Sequence, residues 1–353
     1  MANIGTKKWS TILVVGGAGR LGFYVIESLL SQPECGRIVS INRTSHPENQ
    51  HQGVDYRAVD LCDAEAMRTL MHDVRPEIII NTAAPAHTNG LTSTVEFDKV
   101  LVQAQSTLIK LARDVRTQYL ISTTSANVAA GHEHIMIDET APLWPSDSIA
   151  FPYWVKRSEA ERLLLAEDGR DLQTLSLRLP LIIGPRDYAF VPAMLKSLKD
   201  GATNVQIGDG INLLSTVGVG DAARAHTLAL RALQQLENQV HGQAFYIVGQ
   251  QPLNFWTMGR IIWTEAGWKD QDKRPWIMPA SVAMPLATVM EWITYFYSWG
   301  TREPDLTRHV VRFMTNTWTY NGAKAERLLA YTPQERTEDN LRESVRFELD
   351  RKA

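Results

Sequence analysis

The first half of the chain alternates short, wholly apolar runs with longer amphipathic stretches. Thr11-Ile12-Leu13-Val14-Val15 is a β-branched run with no charged interruption, the pattern of a parallel strand covered on both faces. Glycines follow at once, and Phe23 to Leu30 then has helical spacing. The unit repeats. Arg37 to Arg43 reads as a second strand and Val59-Asp60-Leu61-Cys62-Asp63 as the end of a third. Pro76 to Pro85 reads as a buried strand opening into a loop of small residues. The alternation continues through Leu181. It predicts an α/β fold, a doubly wound parallel (Rossmann) sheet, over 1–183, completed by 215–248. Beyond Gly184 the pattern loosens. Phe190–Leu198 and Asp221–Leu233 read as helices, Gly208-Asp209-Gly210 as a turn, and Ser215–Val219 as a return to the sheet. Residues 184–214 and 249–353 are expected to form a smaller, mixed substrate-binding region.

One later stretch has a different character. From Trp276 to Trp299 the only charge is Glu291, and the length would suffice for a membrane span. Pro279 and Pro285 interrupt it. At helical spacing Val282, Leu286, Val289, Ile293 and Phe296 form one face, with Thr288, Glu291, Tyr295 and Ser298 on another. The pattern predicts an amphipathic helix over 280–298. It is expected to lie on a core, over a substrate pocket or in a membrane surface rather than across a bilayer.

Composition narrows the function classes. The 353 residues are 44% hydrophobic and 21% charged, which suits a soluble protein of one large or two modest domains. A net charge of −3 gives no basic field, so no nucleic-acid partner is expected. Cys35 and Cys62 lack metal-ligand spacing and suit a reducing compartment. Lys7 and Lys8 precede only the short Ile12–Val15 run, which reads as a strand entering a nucleotide loop rather than a signal peptide. The expected location is cytoplasmic, peripheral on an internal membrane where 280–298 makes a surface contact. A homodimer is the commonest assembly for a soluble oligomer.

The glycine segment Gly16-Gly17-Ala18-Gly19-Arg20-Leu21-Gly22 sits between a predicted strand and helix, which makes it a dinucleotide loop rather than a plain turn. Gly16 permits the tight turn, Gly19 lets backbone approach the pyrophosphate, and Gly22 lets the helix pack close. The helix N-terminus faces the phosphates. At the end of the second strand, where NAD-binding proteins carry an acid for the ribose, stand Asn42 and Arg43. Arg43 suits a 2′-phosphate, with Arg20 as a second donor, so NADP(H) is favoured over NAD(H). His132, Glu133 and His134 lie in a loop, and no metal site is expected there. His226 reads as a structural helix residue, and His87 is open between pocket and packing roles.

Several segments together resemble the extended short-chain dehydrogenase/reductases, in particular their 3β-hydroxysteroid and sterol dehydrogenase branch. They are the glycine loop, Asp60-Leu61, Asn81-Thr82-Ala83-Ala84, Thr123-Thr124-Ser125-Ala126-Asn127-Val128 and Tyr153-Trp154-Val155-Lys156-Arg157. Gly184-Pro185-Arg186-Asp187, Val219-Gly220-Asp221 with His226, Asn254-Phe255-Trp256 and Lys324-Ala325 extend the likeness over nearly the whole chain. The resemblance implies that Ser125 hydrogen-bonds the substrate oxygen and that Tyr153 gives or takes the proton. It also implies cofactor contacts at Gly16, Gly19, Arg20, Leu21, Gly22, Arg43, Asp60, Leu61, Ala83, Ala84, Tyr153 and Pro180. Two positions depart. The family's lysine, which holds the nicotinamide ribose and lowers the tyrosine pKa, falls on Arg157. Lys156, one residue off, is a second candidate beside Arg157 for the catalytic cation, although adjacent helical positions point about 100° apart. The family's water-holding asparagine falls on Leu101.

The expected function is an NADP(H)-dependent oxidoreductase acting on a hydroxyl or ketone of an apolar, ring-bearing metabolite such as a sterol, terpenoid or polyketide. Seven of the ten tryptophans lie between Trp256 and Trp318, which suggests a large, flat, apolar pocket or lid, with ordinary core packing the other reading for any one ring. The departures at Leu101 and Arg157 leave non-redox isomerisation or cyclisation as an alternative. A dinucleotide-sensing binding protein is a third reading, against which Ser125 and Tyr153 argue.

Overall fold

A computed structural model describes residues 8–85, 94–235, 237–269, 274–299, 302 and 304–351. His87 lies outside them. The chain begins β1 (Thr11–Val15), α1 (Arg20–Leu30), β2 (Arg37–Asn42), β3 (Asp55–Ala58), α2 (Ala64–Val74) and β4 (Ile78–Asn81). Next come α3 (Thr94–Phe97) and α4 (Ala104–Asp114), joined by a π-helical stretch over Asp98–Gln103. Then follow β5 (Tyr119–Ser125), β6 (His134–Ile137), α5 (Pro152–Ala166), β7 (Gln173–Leu179) and β8 (Leu181–Ile183). The predicted third strand is displaced. Val59 to Asp63 is a turn, because the Asp63 side chain accepts from the Glu65 and Ala66 amides and so starts α2.

The remainder runs α6 (Phe190–Lys199), β9 (Val205–Ile207), β10 (Leu213–Leu214), β11 (Thr216–Gly218), α7 (Val219–Gln235), α8 (Glu237–Val240), β12 (Gln243–Tyr246), β13 (Leu253–Asn254) and α9 (Phe255–Glu265). It closes with β14 (Trp276–Met278), α10 (Ala280–Ser298), α11 (Arg308–Thr315), β15 (Trp318–Tyr320), α12 (Ala323–Leu329) and α13 (Thr337–Asp350).

Seven parallel strands form the main sheet in the order β12-β7-β5-β4-β1-β2-β3. The order reverses between β1 and β4, which opens a crevice at their C-terminal ends. One apolar layer packs α1 and α7 against the sheet through Ile12, Val14, Ile26 and Leu230. The opposite layer packs α2 and α4 through Leu13, Met71, Ile79 and Leu108. β11 does not rejoin this sheet. It pairs with β8 in a separate two-stranded sheet, and β12 supplies the edge strand instead.

A second core joins α6, α9, α11 and α13 through Met194, Phe255, Trp263, Val311 and Val345. Trp256 and Trp263 are buried in it, and their indole N–H groups donate to the Ile207 and Met194 carbonyls. α10 packs on α11 in the opposite sense. Its buried positions are Ala283 and Ala287, while the predicted stripe of Val282, Leu286, Val289, Ile293 and Phe296 is 41–66% exposed. Among the described residues no helix is long and apolar enough to cross a membrane.

Candidate active site

The C-terminal ends of β1, β2 and β4 lie level, with Val15 paired to both Ile41 and Asn81. The chain leaves β1 through Gly16 at φ +82°, a conformation that favours glycine. Gly19 N donates back to the Gly16 carbonyl at 2.9 Å and closes the turn. A Cβ on Gly22 would run into that same carbonyl, so α1 reaches the loop only with this position bare. Gly17 carries an equal constraint that the sequence did not reveal, since a Cβ there would collide with Ser40 and Ile26. Gly19 is the N-cap of α1, and no side chain caps that end. Its first-turn N–H groups, including that of Leu21, are suited to an anion. This cradle fits a dinucleotide pyrophosphate.

Around the cradle the predicted contacts separate. Asn42 Oδ1 accepts from Ala18 N at 2.8 Å, so the residue standing in place of an acid braces the glycine loop. Arg43 is exposed and makes no hydrogen bond or ion pair among the described residues. Arg20 requires a correction. It donates to the Gly184 carbonyl at 2.8 Å and pairs with Asp187 at 3.3 Å. That clamp ties α1 to the loop after β8 and removes Arg20 as a donor for a 2′-phosphate. Asp60 and Leu61 lie in the turn before α2, where Asp60 Oδ1 accepts from Cys62 N at 2.9 Å. Ala83 N donates to Asn81 Oδ1 at 3.0 Å, and Ala84 follows, exposed, at the same sheet edge. Pro180 separates β7 from β8 and lines the adjoining cavity.

Ser125 is the last residue of β5. Pro152 opens α5 with its φ preset for a helix and places Tyr153 in the first turn. Arg157 lies one turn on and is buried. Its Nε donates to Tyr153 Oη at 3.2 Å, Nη1 to the Thr123 carbonyl at 3.0 Å and Nη2 to the Ala83 carbonyl at 3.3 Å. The guanidinium therefore links the phenol to the ends of β4 and β5, a three-way span that suits its planar fork.

Lys156 is a second correction. Its ammonium pairs with Asp98 at 2.6 Å and Glu159 at 2.9 Å, and those bonds raise its pKa. It points away from Tyr153, as adjacent helical positions must. Leu101 sits in the π-helical stretch, buried with Phe97 and Val102 against Tyr153. Beside it a cavity of about 10 Å³, close to the room one water needs, is lined by Gln105, Thr124 and Arg157.

Ser125 and Tyr153 open onto a cavity of about 640 Å³. Its walls are mainly Phe151, Trp154, Phe190, Phe255, Phe313 and Trp318, from both halves of the molecule. His309, on α11, also lines it and was not identified from sequence. Its ring stacks on Phe151 at 4.2 Å and meets Trp154 edge-on at 5.0 Å. Burial, with a smaller push from Arg312, lowers its pKa to about 4. At the base Tyr320 Oη donates to Asn127 Oδ1 and lies 3.2 Å from His134 Nδ1. Burial lowers His134 to about 4 and raises Tyr320. His132 instead lies edge-on to Trp144. His226 is fully buried in α7, between Thr123 Oγ1 and the Ala222 carbonyl. Of the seven clustered tryptophans only Trp318 lines the cavity; Trp256 and Trp263 are core, and Trp276, Trp292 and Trp299 are exposed.

The model of the 3-beta hydroxysteroid dehydrogenase/isomerase family matches residues 13–279. The decarboxylating sterol-4-alpha-carboxylate 3-dehydrogenase of Schizosaccharomyces pombe is 32% identical, over 95% of this chain and 96% of that protein. The Candida albicans enzyme of the same name is 28% identical, over 98% of each. Among solved structures, a dTDP-glucose 4,6-dehydratase from Streptomyces venezuelae with NAD bound superposes with a TM-score of 0.73. It is 20% identical and covers 96% of this chain and 97% of that one. At that identity the likeness shows the fold.

Proposed function

Because the chain belongs to the 3-beta hydroxysteroid dehydrogenase/isomerase family, we propose that it is an NADP(H)-dependent oxidoreductase interconverting a hydroxyl and a ketone on an apolar, ring-bearing metabolite such as a sterol, terpenoid or polyketide. It is an oxidoreductase of the short-chain dehydrogenase type, acting on CH–OH/C=O. The relatives named as sterol dehydrogenases favour a sterol-like ring system. The observation that carries the reading is the placement of Ser125 and Tyr153 at one end of the apolar cavity, with Arg157 bonded to the phenol.

The cofactor, when bound, gives or accepts the hydride, and Gly16, Gly19, Leu21 and Gly22 would cradle its pyrophosphate. Ser125 Oγ orients and polarises the substrate oxygen. Tyr153 Oη transfers the proton to or from that oxygen. A phenol ordinarily titrates near ~10, so proton transfer near neutrality needs a neighbouring cation. Arg157 supplies that charge. A guanidinium serves poorly as a proton relay, so protons reach Tyr153 by another route than the side chain at this position. NADP(H) rests on Arg43, exposed at the end of β2 beside Asn42, where no acid repels a 2′-phosphate.

We also propose that α10 rests on a membrane surface, with the protein otherwise cytoplasmic. The helix turns alanines inward and large apolar residues outward. Trp292, Tyr295, Tyr297 and Trp299 supply the aromatics favoured at lipid headgroups. Exposed Arg274 and Arg302 flank the ridge, and its one acid, Glu291, is held by Arg308 at 2.7 Å.

The function is tested with purified protein, NADPH or NADP⁺, and a panel of 3-keto- and 3-hydroxysteroids. Turnover with one nicotinamide oxidised or reduced per product is expected, and Tyr153→Phe should lower kcat by about a hundredfold or more at unchanged Tm. Full activity in Tyr153→Phe would overturn the assignment. Product formed with no change in nicotinamide absorbance would establish isomerisation or cyclisation instead.

A further inference from the structure

Of the Asn, Lys, Ser, Asp, Tyr and His side chains in the cavity wall that the proposed reaction does not use, His309 alone makes no hydrogen bond or ion pair among the described residues. His309 is set in place by two devices. Thr307 caps α11, its side chain accepting from Val310 N at 3.1 Å. Glu291 accepts from Arg308 N and Arg308 Nε, each at 2.7 Å, and so anchors the start of α11 to α10. The imidazole is thereby held face-on against Phe151 and edge-on against Trp154. Phe151 is the N-cap of the helix that carries Tyr153, and their rings are 6.3 Å apart. The histidine thus faces the same cavity as the reacting groups and lies close to them. It makes no hydrogen bond or ion pair among the described residues.

A neutral imidazole has one N–H to donate and one lone pair to accept with. In an open cavity water would satisfy both. A purely hydrocarbon ligand would strip that water and replace it with nothing, and unmet buried polar groups are costly. Phe151 stacks on the imidazole and Trp154 meets it edge-on, and neither makes a hydrogen bond to it, so neither substitutes for the lost bonds. A phenylalanine at this position would pack equally well against a hydrocarbon. The histidine adds something over phenylalanine only for a ligand with a hydrogen-bonding group to offer, which on a sterol-like ring system is an oxygen.

We propose that His309 is a substrate-positioning residue that recognises a second oxygen-bearing group, a hydroxyl, ketone or carboxylate, on the ring system whose hydroxyl or ketone Tyr153 processes. The inference rests on the ring-substrate reading above and narrows it: the preferred substrate carries two oxygen functions, one for Ser125 and Tyr153 and one for His309. The bond is made in the bound ground state, so its loss falls on KM more than on kcat.

The test uses the full chain with a matched panel. One member is a plain 3-hydroxysteroid. The others carry one additional hydroxyl, ketone or carboxyl group on the ring nearest the reacting carbon. Turnover and equilibrium binding, by quenching of tryptophan fluorescence, are measured for wild type, His309→Phe and His309→Gln. Wild type should prefer at least one oxygenated member by about tenfold to a hundredfold in kcat/KM, mainly through KM. His309→Phe should erase that preference, and His309→Gln, which keeps a donor and an acceptor, should restore part of it. The member whose preference collapses identifies the oxygen group.

An equal loss on plain and oxygenated members in His309→Phe would show a packing role and overturn the proposal. A preference unchanged in His309→Phe would also overturn it. The two readings fail separately. Oxygen-dependent binding lost in His309→Phe, without nicotinamide turnover by any variant, would uphold the subsite and refute the redox function. Binding of no member would overturn the subsite.

Discussion

The main sheet and α10 use the same side chains in opposite ways. In β1 the Ile, Leu and Val residues are buried completely between two helical layers. In α10 the Val, Leu, Ile and Phe residues point outward, and the two fully buried positions are alanines, with Met284 partly buried beside them. The contrast shows that apolar periodicity defines a face without saying what covers it. A strand that is apolar on both sides has to be buried on both sides. A helix with one apolar stripe and one stripe of small residues packs closely through the small one and leaves the large one for another partner.

Two substitutions break this comparison most sharply. Leu13→Ala in β1 should cost about 2–5 kcal/mol, read as a fall in the urea midpoint, because the buried site cannot collapse around the cavity. Leu286→Ser in α10 should change stability by no more than about 0.5 kcal/mol. Replacing Val282, Leu286, Val289, Ile293 and Phe296 together by serine should instead lower binding to phosphatidylcholine–phosphatidylserine vesicles by about a hundredfold or more, measured by flotation. Unchanged flotation, with a dimer converted to monomer, would assign the ridge to a second copy of the chain.

A smaller effect sharpens the account of the cofactor edge. Arg43→Ala should weaken NADPH binding by about tenfold and leave NADH binding nearly unchanged, measured by calorimetric titration. Arg43 faces solvent, so its pairing with a 2′-phosphate is partly screened and the effect is modest. Equal losses for both nucleotides would remove the basis for preferring NADP(H).

What was legible in the sequence follows from how local each signal is. The strand, glycine loop and helix of 11–30 are contiguous, and each glycine answers a short-range steric need, so this unit was readable. Arg157 and Lys156 both stayed candidates in the sequence; the folded α5 separates them, turning Arg157 to Tyr153 and Lys156 to Asp98. Arg20 was misread because its partner, Asp187, comes from a loop 167 residues later. The tryptophan cluster stayed open between pocket and core, because a count says nothing about which rings face a cavity and which fill a core. His309 carried no signal. It has no motif around it, and only the docking of α11 against Phe151 and Trp154 brings it to the site.

The central claim is that Arg157 does the electrostatic work of the family's lysine in a functioning dehydrogenase. The most direct test is the single-turnover rate of nicotinamide oxidation or reduction in Arg157→Gln, compared with wild type under saturating cofactor. Glutamine keeps hydrogen-bonding capacity and removes the charge. A hydride-transfer rate slower by about a hundredfold or more is expected, with the cofactor still bound. A rate equal to wild type would show that the guanidinium serves only to pack the site, and would contradict the claim.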